Sequence, residues 1–448
     1  MKLQYKPYDA YKASDVEWFT RIPVHWEVVP ARNMLIEHVR KNSDGRNTNY
    51  LSLVSNKGVM PYAEKGNMGN KMPESLENCK IVMPGNLVLN SMNFGIGGFG
   101  LSKYNGVCSS VYVVMEAKAD MAYGEFTYRI FQTKPFQAYL SSFGTGIMEL
   151  RMSIGWDEIK VAKLPLPPLP EQQAIAAFLD RETARIDALI ARKERLLELL
   201  GEKRKAIISQ AVTRGLDASV PMKDSGVEWL GQVPEGWAVQ RLKNLSRFVT
   251  SGSRGWAEFY ADSGSTFIRI GNLQRRSIDP DLSDIQYVNV PAGSEGERTR
   301  IQDGDVLISI TADLGSVAAA GVNLQGAYVS QHVALVRLQS GINPRWLAYA
   351  VMGDTAKSHF KMASYGGTKI QLSLEDVRET PVFVPPPAEQ QAIALYLDTQ
   401  AAKLDALRQK MKQSVEKLSE YRTSLISAAV TGKIDVRGEV PDQKDVSA

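Results

Sequence analysis

The sequence is short of the residue types on which disulfide and metal chemistry depend. Its 448 residues include two cysteines, Cys79 and Cys108, and four histidines. Two cysteines cannot build a disulfide framework, and such sparse use is typical of a reducing compartment. The four histidines form no pair at the spacing of metal ligands. We therefore expect a fold that is stabilised by neither disulfides nor metal ions.

Long apolar runs and a strong net charge are also lacking. No apolar stretch approaches the roughly 20 residues of a membrane helix, and the first residues lack the apolar run of a signal peptide. We therefore expect a cytoplasmic protein that has no membrane partner. The formal net charge of +4 permits an acidic partner such as DNA without requiring one. A hydrophobic fraction of 44% and a charged fraction of 23% are typical of soluble folded domains.

The sequence lacks the common motifs of nucleotide and DNA chemistry. It contains no Walker A loop, no Asp/Asn-Pro-Pro-aromatic tetrad of the amino-methyltransferases, and no carboxylate-lysine cluster of a nuclease. The stretch GIGGFG at Gly95–Gly100 matches a dinucleotide-binding pattern. The residues after it lead back into a strand and not into a helix, which favours a flexible loop. We expect this chain to bind no cofactor.

Two blocks of sequence occur twice in the same order. Residues 16–34 match residues 227–245, and EQQAIAAFLD at Glu171–Asp180 matches EQQAIALYLD at Glu389–Asp398. The stretches between the blocks hardly match. Repeated ends around divergent middles predict that the ends do one job twice, while the middles do different jobs of one kind. Neutral drift is the alternative, but drift should have blurred the ends as much as the middles.

The second block of each repeat predicts a long helix. Prolines precede both blocks, and Gly215 and Gly432 lie where a helix would end. Between these signals, apolar residues recur at the spacing of a heptad pattern. They are Ile175, Leu179, Ile186, Leu189, Leu196, Leu200 and Ile207, then Ile393, Leu397, Leu404, Leu407, Met411, Leu418 and Leu425. Helices of about 43 residues would be roughly 65 Å long.

Two such narrow apolar stripes in one chain would most simply bury each other. We expect the helices at 166–215 and 384–432 to pack antiparallel, which places one domain at each end around a pseudo-two-fold axis. Charged residues on their outer faces are either solvated surface or the docking site of a further helical partner.

The remaining segments, 1–165 and 222–382, are expected to be mixed α/β domains. Short β-branched and aliphatic runs between Pro-Gly, Asp-Gly and Asn-Pro turns predict strands. These runs are Asn86–Asn90, Ser110–Met115, Thr266–Ile270, Val306–Ile310 and Val333–Leu338. The predicted fold is therefore α/β, with two mixed α/β domains joined by two long antiparallel coiled-coil helices in a pseudo-two-fold internal repeat.

Loops of both predicted domains carry residue types that recognise DNA. Arg and Lys can bond guanine or phosphate, while Asn and Gln can bond adenine. The candidates in the first domain are Arg46, Asn47, Asn49, Ser55, Asn56, Lys57, Asn90 and Asn93. Those in the second are Arg254, Trp256, Arg269, Asn272, Arg275, Arg276, Lys369 and Gln371. The alternative for each is that Asn and Ser serve turns and that Arg is ordinary surface.

The motifs at Val16–Trp26, Gly226–Trp237, Leu166–Asp180 and Val384–Asp398 resemble a known family. The layout is similar to the specificity (S) subunit of type I restriction–modification enzymes, over nearly the whole chain. The proline-EQQ-helix signature, found twice after a variable region of domain size, is a specific signal.

The resemblance implies that the two domains are target recognition domains, each bound to one half of a bipartite site in double-stranded DNA. It implies that the paired helices fix the spacing of the halves and that two methyltransferase (M) subunits dock on the chain. These subunits would methylate adenine N6 with S-adenosylmethionine, and two restriction (R) subunits, where present, would add ATP- and Mg-dependent translocation and cleavage. The S subunit itself is not an enzyme.

Three alternatives remain open at this point. A coiled-coil scaffold with two protein-binding domains is compatible with the low net charge. An S subunit of a modification-only system would have the same sequence features. A self-contained methyltransferase is disfavoured because the catalytic tetrad is missing.

Overall fold

The computed structural model describes residues 5–68, 70–144, 153–252, 255–291, 293, 295–364 and 371–439. The chain forms two compact units. Unit 1 comprises Met1–Lys193 and Gln413–Ala448, and unit 2 comprises Glu194–Lys412. The boundary between the units lies inside both long helices and not at the ends of the predicted domains. Each unit therefore contains one globular domain with half of each helix packed on it.

Unit 1 is built from short strands and helices followed by the first long helix. The strands are β1 (Tyr11–Val16), β2 (Phe19–Pro23), β3 (Glu27–Pro30), β4 (Leu35–Glu37), β5 (Leu51–Val54), β6 (Gly58–Pro61), β7 (Lys80–Val82), β8 (Leu87–Asn90), β9 (Phe99–Leu101), β10 (Gly106–Cys108), β11 (Tyr112–Ala117) and β12 (Lys163–Leu166). The helices are α1 (Ala31–Met34), α2 (Gly124–Phe131), α3 (Lys134–Ser141), α4 (Trp156–Val161) and α5 (Leu169–Arg214), which continues into unit 2.

An antiparallel sheet in the order β4-β11-β8-β9 forms the centre of unit 1. All four residues of β8 are buried because both faces of this sheet are covered. Leu87 and Leu89 belong to the core beneath α2, α3 and α5, while Val88 belongs to a second core with β5. This two-sided burial explains why the strand is a continuous apolar run without alternation.

Among the described residues, unit 2 repeats most of this order, with three strands at its start and three short helices, a strand and the long helix at its end. Its strands are β13 (Met222–Asp224), β14 (Gln232–Pro234), β15 (Ala238–Arg241), β16 (Ser246–Ser251), β17 (Tyr260–Ala261), β18 (Ser265–Ile268), β19 (Gln286–Val288), β20 (Val306–Ser309), β21 (Val317–Ala319), β22 (Tyr328–Val329), β23 (Val333–Leu338) and β24 (Pro381–Val384). Its helices are α6 (Pro344–Met352), α7 (Asp354–Ala363), α8 (Leu374–Arg378) and α9 (Pro387–Val430), which continues into unit 1.

The central sheet of unit 2, in the order β16-β23-β20-β21, matches that of unit 1 strand for strand and is also antiparallel. In both units the strand after the repeated tryptophan pairs with the strand before the long helix, as β3 with β12 and β15 with β24. A second sheet, β17-β19-β18-β22, is particular to the middle of unit 2 among the described residues. The repeat seen in the sequence is therefore a repeat of the fold, and the mixed α/β prediction is confirmed.

The long helices run antiparallel within each unit. In unit 1 the Arg422 guanidinium of α9 contacts Asp187 of α5 at 2.8 and 3.2 Å, and the end of α9 lies near the start of α5. In unit 2 Arg204 of α5 contacts Asp405 of α9 at 2.6 Å. Both helices end as predicted, because Gly215 has a φ of 74° and Gly432 a φ of 68°.

Towards the ends of the helices the predicted apolar stripes are buried, but against the globular domains as well as against each other. Ile175 and Leu179 lie in the core of unit 1 together with Leu425 of the other helix, and Ile393 and Leu397 lie in the core of unit 2 together with Ile208. Nearer the unit boundary, leucines remain between 39% and 47% exposed: Leu189, Leu196 and Leu407. A pair of helices has no third element to cover such positions. Among the described helices, none combines the length and apolar character that crossing a membrane requires.

Candidate nucleic-acid interface

The repeated Trp and Glu of the sequence meet in the structure. Trp26 Nε1 donates a hydrogen bond of 3.0 Å to Glu171 Oε1, and Trp237 Nε1 donates one of 2.9 Å to Glu389 Oε2. Each carboxylate lies in the first turn of its long helix, where the helix dipole favours negative charge. In unit 1 the buried Tyr8 hydroxyl adds a bond of 2.6 Å to Glu171. Burial raises the pKa of that phenol, so it remains protonated and acts as the donor.

The first glutamine of each EQQ sequence fastens the helix to the globular domain. Gln172 is fully buried; its Nε2 donates to Met121 O and Pro167 O, and its Oε1 accepts from the Tyr123 backbone. Gln390 is placed in the same way, donating to Pro385 O and accepting from the Asn343 backbone at 3.0 Å. A buried amide with all of these partners positions the helix rigidly.

The aspartate that closes each repeated block contacts an arginine of the adjacent helical hairpin. Asp180 contacts Arg129, and Asp398 contacts Arg345 at 2.7 and 2.8 Å. Asp398 also accepts a 2.8 Å bond from the Tyr349 hydroxyl. The repeated residues thus attach each long helix to its domain. A surface that binds a partner is therefore expected in the divergent middles.

In unit 1 two loops that carry predicted candidates lie in contact. Loop A (Ser91–Gly98) leaves β8, one of the two central strands of the sheet, and enters β9. The backbone amide of Asn56 donates a 3.1 Å hydrogen bond to Gly97 O. A side chain at Gly97, whose φ is 85°, would place its Cβ 2.4 Å from Asn56 Oδ1. The structure therefore brings together three predicted exposed side chains, Asn56, Lys57 and Asn93, with the half-buried Ser55 beside them.

Loop A also exposes two large apolar side chains that the sequence analysis missed. Met92 is 58% exposed and Ile96 is 61% exposed. The GIGGFG stretch leads into β9 and not into a helix, as predicted. The signal that could have revealed the two residues is an apolar pair in a loop otherwise made of Asn, Ser and Gly. Solvent exposure of such a pair is costly unless something covers it, and thymine methyl groups are one suitable partner.

The other unit 1 candidates form a separate group around Asn105. Asn47 Nδ2 donates to Asn105 Oδ1 at 3.2 Å, and Asn49 Nδ2 donates to Asn105 O at 2.7 Å. Arg46 is exposed, with Asp44 at 3.5 Å. The side chains of the two asparagines are partly occupied by these bonds to Asn105, which leaves Arg46 as the freest of the three.

In unit 2 the topological equivalent of loop A has a different chemistry. Loop B (Ile310–Ser316) leaves β20 and enters β21. Arg275 donates through Nε to Asp313 of this loop, and Thr311 contacts His332 Nδ1 at 2.9 Å. Thr311 also forms a β-bridge with Gln371. Loop B therefore gathers two predicted candidates, Arg275 and Gln371, with a histidine that the sequence analysis assigned to no site.

The family model described as the type I restriction modification DNA specificity domain matches residues 36–199 and 234–417. The chain belongs to this family. Each matched region contains one globular middle and the first part of the helix that follows it.

Curated specificity subunits are similar to this chain in sequence. The chain is 23% identical over 290 residues to the EcoBI specificity subunit of Escherichia coli, covering 62% of this chain and 60% of that protein. It is 25% identical to the putative MjaX specificity subunit of Methanocaldococcus jannaschii, of which 62% is covered. It is 23% identical to the MjaVIII specificity subunit of the same organism, covering 93% of this chain and 95% of that one. The alignments thus span about three fifths of the first two relatives and nearly all of the third.

Two solved structures share the fold of this specificity-family chain. A chain from a structural study of complex assembly and conformational transition of the type I R-M system superposes with a TM-score of 0.72 at 15% identity, covering 94% of this chain and 99% of that one. The HsdS subunit from Thermoanaerobacter tengcongensis superposes with a TM-score of 0.54 at 16% identity, with 92% and 98% covered.

Three of the predicted candidates lie in the interior of the specificity fold, and we withdraw them. Trp256 packs in a small core with Phe267 and Tyr328. The buried Asn272 side chain holds a turn by donating to Asp281 O at 2.8 Å and to Asp284 O at 2.9 Å. Asn90 is buried and caps its own turn through the Met92 amide. The same side-chain amides that suit adenine also suit turns, and local sequence does not separate the two uses.

The remaining candidates have mixed outcomes. Arg269 is half-buried, with its Nη2 3.0 Å from Asp284. Arg276 is exposed, next to Arg275. Arg254 and Lys369 lie outside the described residues.

A group of cations around Arg276 was not anticipated from the sequence. Lys357 of α7 and Lys205 of α5 line a cleft of about 140 Å³ together with Arg275 and Arg276. Burial lowers the pKa of Lys357, and its neighbours Lys205 and Arg275 add to the lowering, which Asp354 partly offsets. Burial, with Arg276 nearby, also lowers the pKa of Arg408. The same cleft is also lined by the carboxylates of Glu198, Glu202 and Asp354, so its cations are partly neutralised by the chain itself. Within the described ranges, no group of three or more His, Cys, Asp or Glu residues is arranged to hold a metal ion.

Proposed function

We propose that this chain is the sequence-specific DNA-recognition subunit of a type I restriction–modification complex, in which each unit binds one half of a bipartite site. The observation that carries the proposal is the pair of equivalent loops. Loop A and loop B leave equivalent strands of the two equivalent sheets. Loop A presents Met92, Ile96 and asparagines, whereas Thr311 and Asp313 of loop B contact His332 and Arg275 from neighbouring segments. A common frame with different side chains is what recognition of two different half-sites requires.

Double-stranded DNA is the partner that fits these side chains best. Asn56, Asn93 and Gln371 supply the amides that pair with adenine, and Arg275 supplies the fork that pairs with guanine. Lys57, Arg46, Arg269 and Arg276 are suited to phosphates. A scaffold that binds two proteins remains the second candidate function, and it is favoured by the exposed apolar pair of loop A.

The long helices are proposed to set the distance between the half-sites and to dock two methyltransferase subunits. The exposed leucines along the helices, Leu189, Leu196 and Leu407, supply apolar surface that a partner helix would cover. On this proposal the chain is non-catalytic and acts in the cytoplasm. S-adenosylmethionine would bind to the methyltransferase subunits, and ATP and Mg to restriction subunits where the system has them.

A domain exchange tests the proposal. Residues 227–380 are replaced by the matching segment of another specificity subunit, and the chain is expressed with its partner subunits. Methylation sequencing of the host DNA should show one half of the recognised site changed and the other half retained.

The matched exchange of residues 16–162 should change the opposite half. A change in both halves from one exchange, or in neither from both, contradicts the proposal. Absence of any salt-dependent DNA binding by the assembled complex would favour the protein-binding scaffold.

A further inference from the structure

We propose that Arg275 recognises a guanine in the half-site bound by unit 2 and that Asp313 is the residue that positions it. The inference rests on the proposed function and assigns one arginine, held against loop B, to one kind of base.

The Asp313 carboxylate is fixed before it meets the arginine. Its Oδ2 accepts a 2.7 Å bond from Ser316 Oγ, and its backbone amide donates to Thr311 O at 2.6 Å. The residue between, Ala312, has a φ of 54°, a left-handed conformation that turns the loop tightly. Asp313 Oδ1 then accepts from Arg275 Nε, so the guanidinium is held at one edge.

The opposite edge of the guanidinium has no partner among the described residues. Nη1 and Nη2 of Arg275 make no hydrogen bond there, and the side chain is 75% exposed. These two nitrogens form a planar fork whose spacing matches O6 and N7 of guanine in the major groove. An exposed ion pair contributes little to stability, so orientation of the fork is the main effect of Asp313.

Other arginines of unit 2 show what a structural pair looks like. Arg345 uses Nε, Nη1 and Nη2 on Asp398 and Asp279, which leaves no free edge. Arg337 uses Nε and Nη2 on Asp305 and Arg300 O. Arg275 differs because only Nε is engaged.

Positive charge next to Arg275 suits a DNA backbone. Arg276 is exposed, and Lys357 lines the same cleft; neither has an ion pair within 4 Å in the described part of the chain. Among the described residues, five cations line this cleft against three carboxylates, those of Glu198, Glu202 and Asp354, so cations are in excess there. Phosphate contacts of this kind fix register, after which a base contact can discriminate.

The experiment uses the full chain assembled with its partner subunits, on the site identified by methylation sequencing. Affinity is measured for that site and for every single-base change in it. For the natural protein, replacing one guanine should weaken binding roughly ten- to a hundredfold.

Arg275→Gln should bind the original site that much more weakly and no longer distinguish bases at that position. Arg275→Lys should keep general affinity but lose most of the preference, because the fork is gone. The control is Arg241→Gln, which breaks an exposed ion pair between Arg241 of β15 and Glu379. It should change neither the affinity for the site nor the preference for guanine.

Two variants separate positioning from simple support of the loop. Asp313→Asn retains an oxygen that accepts from Arg275 Nε, so it should keep part of the guanine preference. Asp313→Ala removes the acceptor, so this variant should lose the guanine preference. Thermal unfolding of each variant shows that the comparison is made between folded proteins.

Several outcomes would overturn the inference. In one, Arg275→Gln leaves every base preference intact. In another, Arg275→Gln weakens binding to all DNA sequences equally, as the loss of a phosphate contact would. Full guanine preference in Arg275→Lys, or in Asp313→Ala, would also contradict it. If the unaltered complex binds no DNA, the proposed function itself fails, and that result is distinct from a failure of Arg275 alone.

Discussion

Neighbouring residues of one type can have opposite roles, as the paired glutamines of the EQQ block show. Gln172 is buried and makes three hydrogen bonds to the globular domain, whereas Gln173 is exposed. Removal of the Gln172 side-chain amide leaves the buried Pro167 carbonyl, the half-buried Met121 carbonyl and the half-buried Tyr123 N–H without this partner. An unsatisfied buried polar group costs about 1–3 kcal/mol.

We therefore expect Gln172→Ala to lower the free energy of unfolding by about 1–3 kcal/mol or more, since several groups are affected. Gln173→Ala, one residue along the same helix, should change it by less than about 0.5 kcal/mol. Denaturant unfolding of the full chain measures both. Equal losses for the two variants would show that the EQQ block does not act as the anchor described here.

For single residues, the sequence shows which side chains are chemically able to contact DNA, but not which of them the fold leaves free to do so. Arg275 and Asn272 lie three positions apart and were equal candidates for DNA contact. Asn272 turns inward to hold a turn, while Arg275 stays exposed. The difference depends on Asp281 and Asp313, which approach through the fold and not through local sequence.

Elements with strong local patterns were predictable. Val333–Leu338 is a strand with the bounds expected from its apolar run, and Ser373 caps α8 through Asp376. The three-residue strands at Lys80–Val82 and Gly106–Cys108 were not, because they are determined by their pairing with each other and not by their own sequences. The contact of loop A with Asn56 also joins residues far apart in the chain. Long-range pairing is therefore the part of the fold that local patterns miss.

The long helices allow a direct test of the spacer. Adding seven residues to both, after Lys193 and after Lys412, inserts two turns and keeps the phase of the apolar stripe. The helices lengthen by about 10 Å, which corresponds to roughly three base pairs of DNA at about 3.4 Å each. Methylation sequencing should therefore show a gap between half-sites that is longer by about that number.

A single residue added at the same two places serves as the control. It turns the following side chains by about 100° and should disrupt the pairing of the helices. Retained methylation with an unchanged gap after the seven-residue insertion would contradict the spacer role.

For the whole molecule, a net charge of +4 does not describe how charge is distributed locally. Where the chain is described, one cleft of unit 2 is lined by five cations, Arg276 and Lys357 among them, and by three carboxylates. The logarithm of DNA affinity of the assembled complex should fall linearly with the logarithm of salt concentration. Arg276→Gln should reduce the magnitude of that slope by about 1 and weaken specific and non-specific DNA alike.

The matched variant is Arg195→Gln, which removes an exposed helix arginine paired with Glu198 at 2.6 Å. Its salt slope should equal that of the natural protein. An unchanged slope for Arg276→Gln would place this arginine away from the phosphates.

Unit 2 is one unbroken stretch of chain, whereas unit 1 is made of two stretches that enclose it in sequence. Leu425, Ala429 and Ile434 belong to the core that also contains Trp26 and Ile175. During synthesis, domains generally fold as they emerge, the first to appear folding first. Here that order is reversed: the globular part made first stays incomplete on the ribosome until the last helix arrives, while the part made second already has everything it needs. We expect a nascent chain halted before residue 425 to present a folded unit 2 and a protease-sensitive unit 1.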